Sequence, residues 1–155
     1  TAVFADLRMT RSVSLVDDYF TLLLYYPTHR ILLTSGMVFM QVGPGYKIYG
    51  TKGCFIKNRS DVQEDLLLAG HKPGGDNWGK EDPKNYGTLS TATDGVITIT
   101  TIESERGDYG KYYEAVAAAI LENKPVPVTP QEGINIMKVL VAAKQSHETK
   151  QVVHL

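Results

Sequence analysis

The stretch that decides the fold opens at Gly107-Asp-Tyr-Gly-Lys-Tyr-Tyr113 and enters a helical run. It continues through Lys124-Pro-Val-Pro-Val-Thr-Pro-Gln-Glu132 into a second helical run and closes at Gln151-Val-Val-His-Leu155. Tyr109, Tyr112, Val116, Ala119 and Ile120 recur at helical spacing, which places the first helix over about 108–122. Thr129 suits an N-cap, Pro130 the first helical position and Glu132 a capping box, so a second helix runs from Pro130 to about His147. Val152 and Val153 read as a last short strand.

Upstream, the pattern changes to strands. Residues 2–11 alternate, with Val3, Ala5, Leu7 and Met9 on one side and Asp6, Arg8 and Thr10 on the other. Residues 19–26 and 31–40 read as strands with both faces largely apolar. A break at Gly43-Pro44-Gly45 precedes a short strand at 46–49, and Gly50-Thr51-Lys52-Gly53 reads as a hairpin into Cys54, Phe55 and Ile56. Residues 58–69 predict a short helix with Ser60 as N-cap, ended by Gly70; 71–87 form a long polar loop; 96–102 are a β-branched strand. Tight turns between short runs require antiparallel pairing. The expected fold is therefore α+β: an open, mostly antiparallel sheet with helices packed on one face, in a single domain over 1–155. Strands apolar on both sides need both faces covered, and the helices can cover only one. The other face is expected to meet a second copy in a homodimer.

Composition limits the function. A chain of 155 residues with 43% hydrophobic and 21% charged residues has an ordinary globular make-up. The net charge of −1 supplies no attraction to nucleic acid or anionic membrane. No apolar run reaches the ~20 residues of a membrane helix. The single cysteine, Cys54, cannot pair within the chain, which suits a cytoplasmic protein, and it reads as a buried small hydrophobe. The sequence opens at Thr1 directly in strand-like residues, which leads to the expectation of a piece cut from something longer.

Chemistry-bearing motifs are few. Gly43-Pro44-Gly45 lacks the third glycine of a dinucleotide fingerprint, since Ile48 stands there, and a strand follows where a helix should. It is a turn. Ser146, His147 and Glu148 are neighbours on a helix and point in different directions, so they read as a solvated helix end and not as a relay. Asp17 and Asp18 point to opposite faces of a strand and read as its solvated end. None of the four histidines has a second ligand at metal spacing. The loop around Asp76, Asn77 and Trp78 stands out. A tryptophan among polar residues suits stacking and hydrogen bonding to a polyhydroxy ligand; it equally suits a ring that pins a long loop to the core.

The segments Gly50 to Phe55, Asp61 to Glu64, Trp78-Gly79, Tyr86 to Leu89, Gly110 to Tyr113, Pro125 to Val128 and Ser146 to Leu155 together resemble the C-terminal half of Gfo/Idh/MocA-type oxidoreductases. The resemblance covers essentially the whole chain. It implies an NAD(P)-dependent enzyme acting on a sugar, cyclitol or related polyol. It further implies an N-terminal Rossmann domain as partner within the same parent chain, and a C-terminal sheet that shapes the substrate pocket and mediates oligomerisation. The family's glycine fingerprint, its Glu-Lys-Pro segment and its Asp-x-x-x-His element have no counterpart here. No catalytic, cofactor-binding or metal-binding residue is therefore carried over; the pocket candidates are Asp76, Asn77 and Trp78, NAD or NADP would be held by the parent protein alone, and the isolated chain is expected to be inactive. A free-standing dimeric α+β module that binds a small ligand or protein without catalysis is the rival reading.

Overall fold

The computed structural model describes residues 1–155, which divide into two compact units, Thr1–Met40 with Val128–Leu155, and Gln41–Pro127. The first unit holds β1 (Ala2–Arg8), β2 (Tyr19–Tyr25), β3 (Arg30–Gly36), α3 (Pro130–Thr149) and β8 (Val153–His154). The second holds β4 (Tyr46–Gly50), β5 (Gly53–Lys57), α1 (Val62–Leu68), β6 (Gly87–Thr93), β7 (Val96–Ile102) and α2 (Tyr109–Glu122). Every strand pairing is antiparallel, as the tight turns require. The α+β class with antiparallel sheet is as expected, and its strands hydrogen-bond in two sets of four, ordered β3-β2-β1-β8 and β4-β5-β6-β7.

In the first unit the pairs Val3–Leu24, Ala5–Leu22 and Val3–Val153 set one apolar face. α3 lies on β1 and β8 and presents Val139, Ala142, Ala143 and Ser146 at helical spacing. Val3, Ala5, Leu22, Leu24, Ala142 and Ala143 form the buried core. Burying each of the two leucines contributes about 1.5–3 kcal/mol. The small residues let the helix approach β1 closely. β8 pairs only with Ala2 and Val3, so beyond it the N–H groups of Ala5 and Leu7 need other partners. Ser146 Oγ accepts the first at 3.0 Å and His147 Nδ1 accepts the second at 3.1 Å.

This corrects the reading of Ser146 as part of a solvated helix end. Its side chain is fully buried, and its hydroxyl donates to Gln151 O at 2.6 Å. The helix extends to Thr149, two residues past the expected His147, and ends at Lys150 in the left-handed region. The Thr129–Glu132 capping box is present. Asp18 is a second correction. Its side chain is buried and collects the Thr10 hydroxyl and backbone N–H, each at 2.6 Å, together with the Arg11 backbone N–H and guanidinium. β1 stops at Arg8 because this carboxylate gathers the next residues into a turn. β3 stops at Gly36, where the chain turns so that Phe39 meets Tyr19 edge-on at 6.0 Å.

In the second unit, β6 was not anticipated. Its sequence, Gly-Thr-Leu-Ser-Thr-Ala-Thr, has little apolar content, yet it sits between β5 and β7 in the sheet. Gly87 is buried because the Phe55 ring lies over it; a Cβ there would stand 2.2 Å from the ring. α1 starts one residue later than the sequence suggested, with Asp61 and not Ser60 as N-cap. Asp108 caps α2 by accepting Gly110 N–H. Cys54 is half-buried, less enclosed than expected. No helix is long and apolar enough to cross a membrane.

Candidate functional site

The long loop between α1 and β6 carries the sequence-derived candidates, and all lie in the second unit. It leaves α1 at Gly70, whose φ of +83° favours a glycine, with His71 N–H bonded back to Leu66 O. It turns again at Gly74 and Gly75 and closes at Gly79, where φ is +70° and a Cβ would stand 1.8 Å from Gly107 O. A helical turn at Pro83–Asn85, capped by Asp82, then leads into β6.

Trp78 is 5% exposed. Its indole N–H donates to Gln63 Oε1 at 3.0 Å, and the same oxygen accepts the Tyr109 backbone N–H at 2.9 Å. Gln63, itself buried, thus joins α1, the loop and the first turn of α2. Of the two roles open to the tryptophan, the geometry supports the ring that pins the loop. Asp76 and Asn77 stay exposed. They line a shallow depression of about 310 Å³ together with Trp78, Leu66, His71 and Lys72. So the structure brings the three candidates to one concavity but uses the indole as its floor support. His71 and Lys72 were seen only as loop residues in the sequence. In the sequence Gln63 stands out only as part of the Asp61–Glu64 segment, and Arg106 carries no signal beyond being polar.

Two further pairs brace this region. Lys57 Nζ meets Glu81 Oε2 at 2.7 Å and Asn85 O at 3.0 Å, and Ser104 Oγ donates to the same Glu81 oxygen at 2.6 Å. Burial raises the Glu81 pKa, but the hydrogen bonds from Lys57 and Ser104 outweigh it and hold the carboxyl below its ordinary range. The Tyr109 hydroxyl donates to Asp61. That bond pushes the phenol up to about 12 and holds the Asp61 carboxyl below its ordinary value.

Chemically, the depression offers a carboxylate and an amide that can take hydroxyl groups. It offers no nucleophile paired with a base, and no three His, Cys, Asp or Glu side chains converge. The one glycine-rich turn that suggests a phosphate loop does not fit a dinucleotide. Gly43-Pro44-Gly45 leads into β4 and not into a helix, Asp108 caps α2, and Glu132 stands in the first turn of α3.

Residues 2–155 match the family described as "Oxidoreductase family, C-terminal alpha/beta domain". The chain is 38% identical over 154 residues to scyllo-inositol 2-dehydrogenase (NADP(+)) IolW of Bacillus subtilis, covering 99% of this chain and 43% of that protein. It is 27% identical over 135 residues to the uncharacterized oxidoreductase YdgJ of Escherichia coli, covering 87% of this chain and 38% of that one. The solved structure of yvaA from Bacillus subtilis superposes with a TM-score of 0.95 at 38% identity, over 99% of this chain and 44% of its own. That of YPO2259 from Yersinia pestis gives 0.92 at 30% identity, over 99% and 44%. The chain spans less than half the length of these relatives. It belongs to the Gfo/Idh/MocA oxidoreductase family, as that family's C-terminal α/β domain.

Proposed function

We propose that this chain is the substrate-pocket and dimerisation domain of an NAD(P)-dependent oxidoreductase acting on a cyclitol or related polyol. One observation carries the reading: 99% of the chain aligns at 38% identity with 43% of a protein named as an NADP-dependent scyllo-inositol dehydrogenase. The nicotinamide, held by a preceding Rossmann domain, would exchange hydride with a carbinol carbon. The part of this chain is orientation. Asp76 and Asn77 present an acceptor and a donor–acceptor pair from an exposed rim, a set that suits adjacent hydroxyl groups.

The first unit supports the two expected neighbours. α3 lies over β1 and β8, and on that same face Phe20 of β2 and Leu33 of β3 remain exposed, as a preceding domain would require. On the opposite face Phe4, Leu23 and Leu32 stand side by side, and Leu32 is 67% exposed. A second copy of the sheet is the proposed cover there.

The test is expression together with the coding sequence that precedes Thr1. Purified protein is assayed for scyllo-inositol and myo-inositol oxidation with NADP and NAD. Oxidation by the longer protein and none by residues 1–155 is the expected pair of results. A start codon immediately before the Thr1 codon, or cofactor-dependent oxidation by residues 1–155 alone, would overturn the reading and favour, respectively, a free-standing binding module or a different catalytic centre.

A further inference from the structure

We infer that Arg106 is the positioning residue of the Asp76–Asn77 tip, a two-pronged clamp that fixes where these side chains stand before a polyhydroxylated ligand arrives. The inference rests on the proposed pocket role of that tip. The Arg106 guanidinium donates through Nε to Trp78 O at 2.5 Å and through Nη2 to Gly75 O at 2.8 Å. These two carbonyls flank residues 76 and 77 on either side, so one rigid planar group sets both ends of the tip. Otherwise only two long turn bonds hold it, Trp78 N–H to Gly75 O and Lys80 N–H to Asn77 O, each at 3.3 Å. Gly74 and Gly75 have nothing within 4 Å of a would-be Cβ, so no neighbour packs against that side of the backbone. Two adjacent glycines at positive φ make this the segment with the most freedom to lose, and the clamp removes that freedom in advance.

The clamp is itself placed. Gly107 N–H donates to Gly79 O at 3.1 Å, directly after Arg106 in the chain, and Trp78 is pinned from behind by Gln63. Arginine is the residue type the task needs. Its fork reaches two acceptors in fixed directions, whereas a lysine ammonium is a single point that can serve one of them. Without the fork, Asp76 and Asn77 would sample many placements, and a ligand would have to order them on binding.

Arg106→Lys and Arg106→Gln test this, with Asp76→Ala as reference. In residues 1–155 Trp78 is the sole tryptophan, so acrylamide quenching of its fluorescence reads the loop directly. Both Arg106 variants are expected to keep the melting temperature within about 3 °C and to raise quenching at least about twofold. In the longer protein both are expected to raise KM for the inositol about 10-fold at nearly unchanged kcat. A staple with no positioning role would leave KM alone. If Arg106→Lys leaves KM unchanged while Asp76→Ala raises it, the clamp is refuted and the pocket role of the tip stands. If Asp76→Ala and Asn77→Ala also leave KM unchanged while oxidation persists, the clamp and the pocket role both fall, and the oxidoreductase reading survives.

Discussion

Gln63 and Trp78 are 15 residues apart in sequence and share a buried hydrogen bond of 3.0 Å, indole N–H to amide oxygen. The Tyr109 backbone N–H takes the same oxygen. Replacing Gln63 with leucine keeps the bulk and removes the acceptor from the buried indole N–H and the part-buried Tyr109 N–H. Each stranded donor costs about 1–3 kcal/mol, so Gln63→Leu is expected to destabilise by about 2–6 kcal/mol. For a chain of this length that lowers the melting temperature by roughly 4–24 °C. Thermal denaturation followed by circular dichroism checks it. A drop below about 2 °C would mean that neither N–H depends on Gln63.

Ser146 gives an independent test in the other unit. Its hydroxyl accepts from Ala5 N–H and donates to Gln151 O across 141 and 5 residues of sequence. Ser146→Ala fits the space but strands the β1 N–H beyond the end of β8. The expected loss is about 2 kcal/mol. Amide exchange at Ala5 should accelerate more than at Val3, which β8 still covers. Equal protection at the two positions would refute the edge-finishing role.

These two residues also show what the sequence could and could not convey. Periodicity and capping chemistry made α2, α3 and the alternation of β1 legible, because each depends on neighbours within one or two turns. Ser146 and Asp18 are buried polar residues whose partners lie far away or in a tight local turn, so residue type alone places them at the surface, and nothing local to Gln63 reveals its two distant partners. β6 was missed for a related reason: a strand flanked by β5 and β7 draws its stability from backbone pairing, and its Thr and Ser residues carry no apolar alternation. At the candidate site, Asp76, Asn77 and Trp78 were singled out by composition. Arg106 was invisible because its function is carried by two backbone carbonyls 28 and 31 residues away.

Asp18 makes stability depend on acid. Hydrogen bonds from Thr10 first, then Arg11, hold its carboxyl well below the ordinary carboxylate range. A folded pKa below the unfolded one means that the unfolded chain takes up the proton first. The contribution is fully present above the ordinary value of about 3.9 and is lost as pH falls below it. Asp18→Asn should therefore lower the melting temperature at pH 7 and leave a smaller difference from the native chain at pH 3. A gap that stays constant between those two pH values would show that the carboxylate charge is not what the turn uses.

Gly79 tests how tightly the candidate loop is closed. Any side chain there meets Gly107 O at 1.8 Å and must also hold φ near +70°. Gly79→Ala combines steric overlap with left-handed strain of about 1–2 kcal/mol. The 79–107 bond should open, Trp78 should become more accessible to acrylamide, and the sheet of the first unit should be unaffected. Gly74→Ala is the control: its surroundings are open, so only backbone strain applies. If both variants quench alike, closure at Gly79 does not hold the tryptophan.

The uncovered face of the first sheet yields the last prediction. Phe4, Leu23 and Leu32 occupy one cross-strand row on β1, β2 and β3, away from α3. Leu32 at 67% exposure removes little from water in a single chain, so placing a charge there costs a monomer almost nothing. In a face-to-face dimer the same carboxylate would be trapped against apolar side chains of the second copy, a cost of several kcal/mol. Leu32→Glu is therefore expected to leave the melting temperature at low concentration nearly unchanged and to shift light scattering from dimer to monomer. A dimer of unchanged affinity would move the contact to another surface. A native chain that is monomeric at the outset would remove the second copy altogether.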